Sequence, residues 1–114
     1  MEIKLRKLGD IYLVDITGEI DLYNAHKLKT LIQKMTIKEI RKYVLNLEEV
    51  GYIDSSGIGA LISIYSELKK KEYHLRITGV RGTVKKVIDL TKLTDYFPIV
   101  PDMNTAVKQL KAQP

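Results

Sequence analysis

The sequence predicts one α/β domain over residues 1–114: a mixed, mostly parallel sheet of about five strands with an antiparallel hairpin at its N-terminal edge, packed with about four helices. Three observations predict it. Short apolar runs of strand length alternate with segments whose apolar residues recur at helical spacing. Gly9-Asp10, between the first two runs, is a two-residue turn of the kind that closes hairpins. Every later strand is separated from the next by a helix, which implies right-handed crossovers and parallel neighbours.

Taken in order, residues 2–8 alternate Ile3 and Leu5 with Lys4 and Arg6, a half-buried strand placed at an edge by its charge. Residues 11–16 form the second strand, after which Thr17-Gly18-Glu19-Ile20-Asp21 leaves the sheet. Ala25, Leu28, Leu31, Ile32 and Met35 predict a helix over 24–35, with Asp21 or Asn24 near its start. Tyr43-Val44-Leu45-Asn46-Leu47 reads as a buried strand, and Ile58, Leu61, Ile62, Tyr65 and Leu68 as a helix over about 57–70. Tyr73, Leu75 and Ile77 mark a fourth strand, and Val84, Val87 and Ile88 a third helix. Phe97-Pro98-Ile99-Val100 is expected as a fifth, terminal edge strand. Asp102 caps a last helix carrying Met103, Ala106, Val107 and Leu110. In a parallel sheet, the turns after strands two, three and four leave from carboxyl ends and gather on one rim. Gly18–Tyr23, Asp54–Gly57 and Gly79–Gly82 are therefore expected as neighbours.

Composition narrows the chemistry. With 45% hydrophobic and 29% charged residues the chain has the make-up of a globular protein. It has no cysteine, hence no disulfide, thiol nucleophile or cysteine-ligated metal, which fits a reducing cytoplasm. No run of about 18 apolar residues exists to span a membrane, and the charged start is unlike a signal peptide. The net charge of +5 raises the question of nucleic acid, but the lysines and arginines are scattered among acids. The one basic run, Lys69-Lys70-Lys71, ends a helix, where cations favour the carbonyl end. Neither nucleic acid nor membrane is expected as a partner, and no cofactor.

The stretch with chemistry is Gly51-Tyr52-Ile53-Asp54-Ser55-Ser56-Gly57-Ile58-Gly59-Ala60, a strand-to-helix turn. Orphan N–H groups and partial positive charge at a helix start favour Asp and Ser there, and can hold an anion such as a phosphoserine. Helix capping alone accounts for Asp54, Ser55 and Ser56. Gly57 and Gly59 weaken that account, because each glycine costs about 1 kcal/mol against alanine inside a helix. They leave the helix start flat, open to a partner's backbone or to a kinase. Catalytic patterns fail here: Ile53 and Asp54 stand where a nucleophile elbow needs glycine, and no lysine follows Gly57 or Gly59 as in a P-loop. His26 and His74 read as surface histidines, a poor basis for a metal site.

Thr17-Gly18-Glu19-Ile20-Asp21, Val44-Leu45-Asn46-Leu47 and Ile53-Asp54-Ser55-Ser56-Gly57-Ile58-Gly59 resemble, in order and spacing, the bacterial anti-sigma factor antagonists of the STAS-domain family. Leu75-Arg76-Ile77-Thr78-Gly79, with Val84, Val87, Leu93, Phe97 and Ala106, resembles that family's second half. The resemblance implies a binding protein and not an enzyme. Its unmodified form would bind an anti-sigma factor that is itself a serine kinase, releasing a sigma factor for transcription. Phosphorylation would fall on Ser56 and a serine phosphatase would reverse it. Asp21, Tyr23, Asp54, Ser55, Ser56, Gly57 and Gly59 would form the partner-binding surface. The chain departs from the family at Thr91-Lys92-Leu93, where a glycine often stands second. Two alternatives stay open: a STAS module of another assembly, such as a stress-sensing scaffold or lipid-transport accessory, and a nucleotide- or small-ligand-binding domain.

Overall fold

The computed structural model describes residues 1–114. Strand β1 (Glu2–Leu8) turns at Gly9 into β2 (Ile11–Ile20), and α1 (Ala25–Ile37) crosses to β3 (Lys42–Ile53). Helix α2 (Ser55–Lys70) leads to β4 (His74–Thr78), followed by α3 (Gly82–Leu90) and α4 (Met103–Lys111). The sheet order is β1-β2-β3-β4, antiparallel between β1 and β2 and parallel thereafter.

The sheet has four strands, not five. Segment 97–100 contributes a single bridge, with Ile77 N–H donating to Pro98 O and Val100 N–H to Ile77 O, both at 2.9 Å. Pro98 has no N–H to give a ladder, so pairing stops at one rung.

Alternating side chains sort onto two faces. Val14, Ile16, Tyr43, Leu45, Leu47, Leu75 and Ile77 enter the main core with α1, α2 and α3. Ile11, Leu13 and Val44 point the other way, onto Ala106 and Leu110 of α4. At about 25 cal/mol per Å² of apolar surface, these two cores are the domain's principal source of stability.

Two strands run further than expected. β2 does not leave the sheet at Thr17 but pairs with β3 as far as Ile20 and Ile53. Its partner carries an extra residue at each of two bulges, between Asp15/Thr17 and between Gly18/Glu19. Each bulge re-phases β3, so Leu47, Val50 and Ile53 are all buried at a spacing of three. A plain strand would have buried every second residue. The bulges carry the carboxyl ends of β2 and β3 forward together and set the two following turns side by side.

Candidate functional site

The site begins with the end of β3. Asp54 follows Ile53 in extended conformation and is the N-cap of α2. Its Oδ1 accepts the Gly57 N–H at 2.9 Å and its main-chain O accepts Ile58 N–H. Its Oδ2 accepts the Leu22 N–H at 3.0 Å, across from the β2–α1 turn. Asp54 N–H in turn donates to Ile20 O at 3.2 Å. One residue therefore caps the helix and fastens the neighbouring turn to it.

That turn is internally built. Asp21 Oδ1 accepts Tyr23 N–H at 2.9 Å, an Asx turn. Asn24 Oδ1 accepts Asp21 N–H, and its amide donates to Glu19 O, both at 2.9 Å. Locked this way, the turn presents Leu22 and Tyr23, 67% and 83% exposed, beside the start of α2.

Ser55 and Ser56 are the first two residues of α2, and their N–H groups have no hydrogen-bond partner within the domain. Ser55 is exposed and Ser56 half-buried, so both hydroxyls sit at the surface of the rim. The two glycines differ. A Cβ at Gly57 would lie 2.5 Å from Ile20 O and 2.5 Å from Ile53 Cγ1. Its bareness is what lets α2 seat against the ends of β2 and β3. A Cβ at Gly59 would meet nothing within 4 Å. Gly59 is exposed, and its lack of a side chain serves no contact inside the domain.

Of the three turns expected on the rim, Gly18–Tyr23 and Asp54–Gly57 are joined directly. The third is fastened elsewhere: Arg81 Nη2 donates to Glu48 O at 3.1 Å, and Gly79 (φ +76°) lies against the Glu48 backbone. β4 pairs with β3 only to Asn46, so the turn after it meets β3 midway and not at its end. His26 is exposed, and no group of three or more His, Cys, Asp or Glu is arranged to hold a metal ion. No helix is long and apolar enough to cross a membrane.

The sequence reading did not single out Leu22. A Leu-Tyr pair that the helical period from Ala25 onward leaves unused was the available signal. Lys92 takes φ 60°, the left-handed conformation glycine would favour.

This fold and rim define a class of small α/β domain that displays a capped helix start at a strand-to-helix turn. The STAS domain family matches residues 2–106, and the chain belongs to that family. It is 30% identical over 99 residues to the anti-sigma-B factor antagonist of Listeria monocytogenes, covering 87% of this chain and 86% of the relative. A crystal structure of an anti-sigma factor antagonist from Mycobacterium paratuberculosis superposes with a TM-score of 0.86 at 24% identity, covering 96% of this chain and 93% of that one. The Bacillus cell fate determinant SpoIIAA in its phosphorylated form gives 0.74 at 17% identity, covering 95% and 98%.

Proposed function

We propose that this protein is an anti-sigma factor antagonist, a binding protein without catalysis, controlled by phosphorylation of Ser56. In its unmodified form it binds an anti-sigma factor that is a serine kinase and thereby frees a sigma factor for transcription. The kinase transfers phosphate to Ser56, and a serine phosphatase restores the hydroxyl. The curated relative's name supports the antagonist role. The observation that carries the reading is the placement of Ser56: a surface hydroxyl at the second position of α2, between the Asp54 cap and the open backbone at Gly59.

The partner surface is Asp21, Tyr23, Asp54, Ser55, Ser56 and Gly59, with Leu22 added to it. Gly57, buried beneath them, shapes that surface from inside. Phosphorylation adds about −1.5 to −2 charges and three acceptor oxygens. Within the free domain a helix N-terminus tolerates that charge. Inside an interface it adds bulk and desolvation cost, and it meets the carboxylates of Asp54 and Asp21. A loss of about 3 kcal/mol of binding weakens affinity roughly a hundredfold. The switch is thus local obstruction, with no refolding of the domain. Incubation with the cognate kinase and ATP, followed by mass mapping, should place one phosphate on Ser56. Ser56→Ala should take up none, and a phosphate mapped to another residue would refute the assignment.

A further inference from the structure

The lysines scattered along the sequence are gathered by the topology. Helices α1 and α2 run opposite to the strands they connect, so their C-terminal ends meet the starts of β3 and β4 at one pole. Lys42, at the start of β3, donates to Gln113 O at 2.8 Å, which ties the segment after α4 to the same end. Three shallow depressions join one another at this pole, the first running along α4 as far as its start. The first holds Lys7, Lys108 and Lys111; the second shares Lys7 and adds Lys38 and Arg41; the third shares Arg41 and adds Lys71. These six cations are exposed and free of ion pairs. Other cations nearby are ion-paired, Arg6 with Asp15, Lys42 with Asp10 and Lys70 with Glu67, and Lys69 lies between two rings, those of Tyr65 and Tyr96. Glu39 and Glu72 line these depressions without an ion pair, and Asp95, next to Tyr96, is unpaired as well.

Two exposed aliphatic side chains stand within this field. Leu8, next to Lys7, is 44% exposed, and Ile37, next to Lys38, is 80% exposed. Cations interleaved with aliphatic side chains fit the headgroup–acyl boundary of an anionic bilayer, where each lysine is attracted and each aliphatic group finds apolar surroundings. Nucleic acid would have no use for Leu8 and Ile37. The aromatic faces it would stack on, Tyr12 and Tyr73, lie under Lys7 and Arg41 at 5.7 and 5.9 Å.

We infer that the pole formed by Lys7, Lys38, Arg41, Lys71, Lys108 and Lys111, with Leu8 and Ile37, is a docking surface for an anionic lipid bilayer. The contact is peripheral and needs no spanning helix. β3 runs from this pole to the Ser56 turn, so a docked domain holds its rim away from the lipid. The inference is independent of the Ser56 switch.

Sedimentation with vesicles of phosphatidylcholine and phosphatidylglycerol, against phosphatidylcholine alone, tests it. The full chain should partition onto the anionic vesicles alone, and less so as salt rises. Combining Lys38→Glu, Lys71→Glu and Lys111→Glu should lower the partition coefficient about a hundredfold. Leu8→Ser with Ile37→Ser should lower it severalfold with no change of charge. Ser56→Ala should leave it unaltered. Equal sedimentation with both vesicle types would overturn the inference, as would binding to duplex DNA with none to anionic vesicles.

Discussion

Leu22 and Asp54, 32 positions apart, are joined by a hydrogen bond from the Leu22 N–H to Asp54 Oδ2 at 3.0 Å. The other oxygen of the same carboxylate caps α2 through Gly57. The loop carrying Tyr23 and the helix carrying Ser56 are thereby held in one arrangement before any partner arrives. Such preorganisation lowers the ordering cost of binding.

Replacing Asp54 tests that fastening. Asp54→Ala removes a cap and a charge-assisted bond, and urea unfolding should show a loss of about 2 kcal/mol. Asp54→Asn keeps an acceptor and a good capping residue, so it should recover about half of the loss. Equal stability of the alanine variant and the wild type would contradict the geometry.

The two glycines at the start of α2 should respond in opposite directions. Gly57→Ala drives a methyl group into Ile20 O and the Ile53 side chain, and should cost about 2 kcal/mol after the gain in helix propensity. Gly59→Ala faces open space and should stabilise the domain by up to about 1 kcal/mol. If a partner lies flat against this backbone, the same methyl group should weaken binding at least tenfold. Thermal melts and binding titrations of both variants separate the two roles.

Lys92 occupies a left-handed position after α3 that suits glycine. Lys92→Gly should therefore raise stability by about 1 kcal/mol, measured by chemical denaturation. A destabilised variant would mean that the lysine side chain does more there than tolerate its backbone.

Asp15 links three strands. Its carboxylate accepts Arg6 Nε at 2.6 Å and Asn46 Nδ2 at 2.8 Å. The bond from Arg6, aided by that from Asn46, holds the Asp15 carboxyl below the usual carboxylate range. A carboxyl depressed in the folded state contributes stability that is complete above about pH 4, its unfolded value, and is lost as pH falls through the folded value. Arg6 is about half exposed, so screening keeps the contribution below about 1 kcal/mol. Asp15→Asn should flatten that part of the acid limb in pH-dependent unfolding.

The hairpin, the crossovers and the helix faces were legible because each rests on local periodicity. So was the meeting of the Asp21 and Asp54 turns, which parallel pairing of β2 with β3 implies, though the same rule placed Gly79–Gly82 beside them and the short β4 leaves that turn at Glu48. The far halves of β2 and β3 were not. In Leu47-Glu48-Glu49-Val50-Gly51-Tyr52-Ile53 two bulges change the burial period from two to three, and Gly51 reads as a breaker. In segment 97–100 Pro98 marked an edge, but that its missing N–H would cut pairing to a single bridge was not legible. The basic pole was invisible for a different reason: Lys7, Lys38, Lys71 and Lys111 are far apart in sequence and meet only through the crossovers.

The most direct test of the switch is the affinity of the cognate anti-sigma kinase for this protein before and after stoichiometric phosphorylation at Ser56. The account predicts a fall of at least about a hundredfold, with amide signals away from the rim unmoved. Equal affinity of the two forms would contradict it, as would weakened binding accompanied by changes throughout the sheet.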